Sequence, residues 1–404
     1  MSKMCKIKYL NENNNAKKYK SFNETFRICA FALAFGLIYP NKSNMFKRMF
    51  LFFLVLLFHF GTLFWFIWYT IKCLVKLDIY NSTRNITVGV IIVLFVLKTI
   101  YADLKTDMFA DLLKQISKDL LNGNYMEDDY QEIYDYYIKQ GMFGQRSYIV
   151  IPLVLSSIFP VYSGSAMIYG SLKSDVFKKY MLHEMDIKYL EDKQYDSPYF
   201  ELVYAYYTIG IYTLVPNFTG FDGSFCIATS HLRMKLKLMT HRVKRAFRDS
   251  NNVLELNDRL KDCVKDHQEA LQFYDLIQNL YGGWLFAVFI LTSFLISCNL
   301  YQIYLTGVDP RYTIFALTGA FHMYMPCYFA SCLIELGEEV ATDLYFAEWE
   351  IWSDPTATKM LVFIIARSQK RLVLTGLGIV TFNMETFVSL MQTSYSFFTL
   401  ITSK

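Results

Sequence analysis

The sequence predicts an all-α membrane protein: seven transmembrane helices, a cytosolic N-terminus, an extracellular C-terminus, and cytosolic helical extensions that form an anchor domain. Three observations carry this. Hydrophobic residues make up 54% of the 404 residues and charged ones only 19%, against about 45–50% apolar in an ordinary soluble domain. Several runs reach the ~18 apolar residues that mark a spanning helix. The Lys and Arg residues are also distributed with a strong bias to alternate loops. A net charge of +4, with the Lys/Arg residues spread along the chain and no basic face, does not imply a nucleic-acid partner, and none is expected.

The first 48 residues are polar and rich in Lys and Asn. They hold no 7–15-residue apolar core followed by small residues, so no cleavable signal peptide is expected. Phe26 to Ile38 is apolar, interrupted by Gly36 and stopped by Pro40. It is too short to span and reads as a membrane-surface or packed helix. Hydropathy then places spans near 49–71, 87–101, 147–169, 202–227, 280–305, 312–334 and 372–401. The second is short, and continues into an amphipathic stretch through Ile116. The expected divisions are the tail 1–48, helices 1–6 within 49–334, anchor helices within 335–371, and the last span with a short tail in 372–404.

Orientation follows from positive charge, which gathers on the cytosolic side. The segments 1–48, 102–146, 228–279 and 335–371 carry 29 of the 40 Lys/Arg, and the opposite loops carry 10. The remaining one, Lys98, lies inside span 2, where a long side chain snorkels to an interface. Sequons at Asn81 ("NST") and Asn85 ("NIT") fall in the first outside loop and are candidate glycosylation sites. Asn23 and Asn41 match the same short pattern on the inside. Seven spans with the N-terminus inside is the reverse of a G-protein-coupled receptor, whose internal D-R-Y and N-P-x-x-Y signatures are missing.

Beyond span 4 the chain stays helical. Apolar residues recur at Leu236, Met239, Val243 and Phe247, then after "DSNN" at Leu256, Leu260, Val264, Leu271, Tyr274 and Ile277. Spacings of three, four and seven mark amphipathic helices that need cover for their stripes. Packing within one subunit supplies part of that cover. Whether they also hold subunits together stays open at this level.

No catalytic constellation is present. "HEMDI" (183–187) lacks the second histidine of a zinc protease, and "TGLGIV" (375–380) lacks the third glycine of a dinucleotide loop. The eight cysteines contain no C-x-x-C pair and read as buried thiols. No metal ligand set, catalytic residue or cofactor is expected. Two features remain. Glu385, midway along the predicted last span, either faces a water-filled conduit that favours cations or bonds to a neighbouring helix. Aromatic and hydroxyl residues crowd "VGVIIVLFV" (88–96), "SSIFPVYSGS" (156–165), "YFELVYAYYTIGIY" (199–212) and "RYTIFALTGAFHMY" (311–324) at one outer depth. They either wall an apolar cavity or supply ordinary aromatic belting and helix packing.

The C-terminal third carries a resemblance. "YFAEWEIW" (345–352), "FIIARSQKRLVLTGLG" (363–378) and the closing "TSYSFFTLI" (393–401) resemble the ending of the insect odorant receptors. "FDGSFCIATSHLRMKL" (221–236) and "CYFASCLIELGEEVATDLYFAEW" (327–349) are similar to that family's ends of spans 4 and 6. The chain departs at Lys370, where the family usually has Pro after R-x-Q. The resemblance implies an odorant-gated, non-selective cation channel in the plasma membrane of a sensory neuron, with this chain as the ligand-tuning subunit of a heterotetramer with the odorant co-receptor. The co-receptor's long insertion between spans 4 and 5 is missing here. The resemblance also implies a split last span: a cytosolic half (356–369) in a central anchor and a membrane half (371–401) lining the pore. A volatile odorant would sit among spans 2, 3, 4 and 6, against Ile92, Phe95, Phe159, Tyr162, Tyr207, Thr208, Ile211, Phe315 and Thr318. Glu385, Phe398, Thr399, Leu400 and Thr402 are the expected pore and gate residues.

Three rival readings were weighed. A gustatory-type channel shares the topology, but its usual closing "TYxxxxxQ" is absent: Leu400 and Ile401 stand five and six positions after Tyr395, with no Gln. A G-protein-coupled receptor requires the opposite orientation. A transporter usually shows internal repeats, and none is found.

Overall fold

Almost every element is a helix, as the periodicity predicts. The structure is a computed structural model, and it describes residues 18–39, 45–173 and 178–403. The expectations for the N-terminal tip, Cys5, Pro40 and Asn41 lie outside the described residues. Two short helices open the chain, α1 (Phe22–Thr25) and α2 (Arg27–Phe35). Five long ones follow: α3 (Met45–Val75), α4 (Ile79–Leu104), α6 (Asp128–Lys173), α7 (Tyr199–Asp249) and α8 (Val253–Thr306). Between α4 and α6 lies the amphipathic α5 (Thr106–Asn122). The chain closes with α9 (Pro310–Tyr345), α10 (Pro355–Ser368), a two-stranded hairpin, and α11 (Met384–Thr402).

Among the described residues, α3, α4, α6 and α8 are long and apolar enough to cross a membrane. Helices α7 and α8 have 51 and 54 residues. At 1.5 Å per residue each runs well past 60 Å, about twice a ~30 Å hydrocarbon core. Their excess length forms a second, helical layer with α5, the end of α9 and α10.

That layer is built as the stripes predict. Leu236, Met239, Val243, Phe247, Leu256, Leu260 and Ile277 are buried in one core with Leu361 and Ile364 of α10. Asn252, at the "DSNN" break, caps α8 by accepting from the Glu255 amide at 2.9 Å. Charged pairs tie the helices sideways: Lys237 and Lys244 both bond Asp343, at 2.9 and 3.0 Å. Burial alone would push the Asp119 carboxyl up, but His231 (3.0 Å) and Lys235 (2.9 Å) hold it down at about 2. The predicted short helix before Pro40 is α2, packed on α7. Cys29 and Leu33 are buried, while Phe31 and Phe35 face outward. Gly220 allows this approach, because a Cβ there would stand 2.8 Å from the Leu33 backbone nitrogen.

Four expectations change. Span 2 is a 26-residue helix, Ile79–Leu104, starting eight residues earlier than hydropathy indicated. Lys98 does not snorkel: it is fully buried and paired with Asp222 at 2.6 Å. The last span is not continuous from residue 372. Strands β1 (Thr375–Gly376) and β2 (Val380–Thr381) pair antiparallel across a tight turn with Leu377 and Gly378 at positive φ. Gly376 must be small, since a Cβ would come within 3.0 Å of the Phe286 backbone. Glu385 therefore stands not at mid-span but, exposed, in the first turn of α11, where a carboxylate suits the helix dipole. Helix α10 ends at Ser368, as Lys370 in place of proline allows, and the Gln369 amide bonds back to Ile365.

Candidate ligand cavity

One cavity of about 110 Å³ lies inside the bundle, and its wall is almost entirely apolar. For scale, an apolar cavity of about 150 Å³ engineered into another protein stays dry and binds benzene. Six helices supply the wall. Of the nine residues expected there, Ile92 (α4), Phe159 (α6), Tyr207 and Ile211 (α7), and Phe315 and Thr318 (α9) line it. Three do not. Phe95 is buried one helical position away, with its ring 4.3 Å from that of His59. Thr208 turns its hydroxyl to the Tyr204 carbonyl at 2.8 Å. Tyr162 lies on the helix exterior, with the Arg311 guanidinium 4.1 Å from its ring centre. Adjacent positions on a helix differ by about 100°, so a small error in rotation exchanges wall for outside.

Residues missed from sequence complete the site. His59, Thr62 and Phe66 of α3 and Thr292 and Leu295 of α8 contribute walls from two spans not considered. His59 was visible as a lone ionisable residue in an apolar run; the others carry no sequence signal. Phe159 and Phe315 meet edge to face, centroids 5.9 Å apart at 83°, and pack with Leu295.

At one end the cavity is closed by the segment between α6 and α7, through Leu182 and His183. His183 Nε2 donates to Asn85 Oδ1 at 3.1 Å. Asn85 in turn donates from Nδ2 to the Phe66 carbonyl and to Thr70 Oγ1, each at 2.6 Å. Arg84 and Lys72 fix the flanking residues through Glu184 (3.1 Å) and Asp186 (2.7 Å). This overturns one expectation: Asn85 is fully buried and its amide nitrogen is committed, so the folded chain has no room for a glycan there. Asn81 is half-buried in the first turn of α4, and its side chain donates to Asp78.

Burial, reinforced by Arg84 and Arg311, pushes the His183 imidazole down to about 3, from an ordinary ~6.5. The folded protein thus holds the neutral form. Its stabilisation is complete above about pH 6.5 and is lost progressively as the pH falls below that toward the lowered value. Hydrogen exchange of residues 178–198 should speed up between pH 7 and pH 5 beyond the intrinsic chemical change. His183→Gln, which keeps a donor, should remove most of that excess.

Behind one wall residue lies a buried charge cluster. His322 lines the cavity and bonds Asp222 at 3.0 Å. Asp222 also accepts from Lys98 at 2.6 Å and from Trp284 Nε1 at 2.9 Å. Four helices therefore converge on one buried carboxylate.

Helix α11 packs on α8 and α9 beside this bundle. Ser297 Oγ donates to the Ser394 carbonyl at 2.8 Å, and the Tyr324 and Phe387 rings meet at 5.6 Å. Phe398 is half-buried between Tyr304 and Tyr395. Thr399 and Leu400 are exposed, and Thr402, half-buried, bonds back into the helix. On the uncovered side of α11, Val388, Tyr395, Phe397 and Leu400 are exposed together with Glu385, Ser389, Gln392, Ser396 and Thr399.

Comparison with known proteins adds an independent line. Odorant receptor 22b of Drosophila melanogaster is 22% identical over 147 residues, covering 35% of this chain and 36% of that receptor. Odorant receptor 67a of the same species is 28% identical over 144 residues, 35% of each. The matched stretches thus span about a third of those two relatives. Odorant receptor 85c, also of D. melanogaster, is 23% identical over 310 residues, 74% of this chain and 76% of that one. Among solved structures, the insect olfactory receptor OR5 from Machilis hrabei in complex with eugenol superimposes with a TM-score of 0.75 at 16% identity, over 94% of this chain and 99% of that one. The family profile described as "7tm Odorant receptor" matches residues 79–395, and over that length the chain belongs to the insect odorant receptor family.

Proposed function

We propose that this chain is the ligand-tuning subunit of an odorant-gated, non-selective cation channel. In this reading α3, α4, α6, α7, α8, α9 and α11 are the seven spans. The N-terminus and the layer of α5, α10 and the long helix extensions are cytosolic, and the end of α11 is extracellular at the plasma membrane. The observation that carries the reading is the small, apolar cavity in a chain of this family. Its wall suits a volatile hydrophobic molecule, held by burial at about 25 cal/mol per Å² of apolar surface. A ligand bound more tightly by the open state shifts the channel toward opening, and only that difference gates it.

Helix α11 is the pore-lining element of this proposal. Its uncovered side, where Val388, Tyr395 and Leu400 alternate with Glu385, Gln392, Ser396 and Thr399, faces a neighbouring subunit and the ion path in a heterotetramer with the odorant co-receptor. Glu385 at its inner end favours cations, and the turn around Phe398, Thr399, Leu400 and Thr402 is the gate. The test is expression with and without the co-receptor, with cation current recorded against a panel of small volatiles that includes eugenol. Ligand-evoked current in cells holding both chains is the expected result. Absence of current to the whole panel, with both chains at the surface, overturns the proposal.

A further inference from the structure

We propose that the ligand of this cavity is a small neutral volatile with one hydrogen-bond-accepting oxygen, and that the Tyr207 hydroxyl receives that oxygen. The inference rests on the odorant-cavity reading above and narrows its ligand class.

The argument is a census of the polar groups in the wall. Most are already satisfied by the protein. Thr62 Oγ1 bonds the Phe58 carbonyl (3.1 Å) and Tyr206 Oη (3.0 Å), and Tyr206 itself donates to that carbonyl at 2.9 Å. Ser156 donates to the Ile211 carbonyl (3.3 Å) and Thr318 to that of Phe315 (3.0 Å). His59 bonds Thr213 at 2.9 Å, and His322 is held by Asp222. None of these has reason to turn toward a ligand.

Tyr207 differs. Tyr207 is one of the lining residues and is 6% exposed, and its buried hydroxyl has no hydrogen-bond partner among the described residues. Trp65 and Tyr206 flank the ring with T-shaped contacts at 6.4 and 5.7 Å. The ring is thereby fixed, and its hydroxyl sits at the end of a rigid group that cannot reach its own backbone. Thr292, on α8, also makes no side-chain bond among the described residues, but a helical threonine can rotate onto a carbonyl one turn back. Tyr207 has no such outlet. A buried donor without an acceptor is costly, so a ligand that brings an acceptor gains what a hydrocarbon of the same shape does not. The cavity volume limits the rest of the molecule to about one aromatic ring or a short chain.

Matched pairs test this directly: benzaldehyde against styrene, and acetophenone against α-methylstyrene. Each pair has equal numbers of heavy atoms and differs in carbonyl oxygen against methylene. In cells expressing this chain with the co-receptor, the carbonyl member should act at about ten-fold lower concentration, the factor of one net hydrogen bond. Tyr207→Phe, which removes one buried oxygen and leaves the ring, should bring the two members within about two-fold by weakening only the carbonyl one. Equal potency in the unmodified receptor, or a preference that survives Tyr207→Phe, overturns the assignment while leaving the channel reading intact. Silence to all four compounds and to eugenol, with receptor at the surface, overturns the channel reading and this ligand class together.

Discussion

Asp222→Ala should remove most of the receptor from the cell surface. The carboxylate is the common partner of Lys98 on α4, Trp284 on α8 and His322 on α9. The Lys98 ammonium is fully buried, 3.6 Å from the Phe218 ring centre and 4.6 Å from that of Trp284. Those faces attract a cation but do not replace a counter-ion. Without Asp222 a full charge is stranded in the interior, and breaking one half of such a pair costs about 3–5 kcal/mol. Native stability is only about 5–15 kcal/mol, so the loss is decisive. Removing both charges is a different experiment. Lys98→Met with Asp222→Leu replaces the pair by apolar groups of similar length, a change that is often close to neutral. Surface labelling should therefore recover in the double variant well above either single one. Wild-type surface levels of Asp222→Ala would show that the pair does not hold the bundle.

The same pair shows where sequence reading stops. Lys98 was visible as a charge in an apolar run, but its partner lies 124 residues away on α7. Nothing local distinguishes a buried pair from a snorkelling side chain. The polar residues Arg84 and Asn85 made the start of α4 read as loop, yet Asn85 finds hydrogen bonds inside the protein and Arg84 pairs with Glu184. Hydropathy sums side chains as though each faced lipid, and so shortens a helix whose polar groups face one another. The long helical extensions were legible because a stripe at spacings of three and four survives any packing partner. The hairpin before α11 was not: hydropathy runs through "TGLGIV" as one continuous span over 372–401, which places Glu385 at its middle, whereas a turn at Leu377 and Gly378 starts the last helix at Met384. The cavity was half legible. Chemistry and depth follow from sequence, but helix rotation does not, and Phe95, Tyr162 and Thr208 were lost to it.

Phe315→Ala should enlarge the cavity and change which ligands the receptor accepts. The Phe315 ring is buried between Phe159 and Leu295 and forms part of the wall. Deleting a buried phenyl typically costs about 3–5 kcal/mol, made up of lost transfer energy and the void that remains. Here the void opens into existing space instead of forming a sealed hole, so neighbouring side chains have little reason to close it. A ligand that binds the folded state restores stability by mass action, about 2.7 kcal/mol at a hundred times its Kd. The variant should therefore lose thermal stability in detergent and regain much of it with a volatile larger by about one ring. The unmodified protein should gain nothing from that larger molecule, because its wall is complete. If the Phe315→Ala protein were as stable as the original, the ring would not be part of a packed wall. If it were destabilised and no larger ligand rescued it, the vacated space would not be continuous with the cavity. Rescue by the larger molecule, together with a weakened response to one-ring ligands, ties the apolar wall to ligand choice through a stability measurement that does not depend on channel opening.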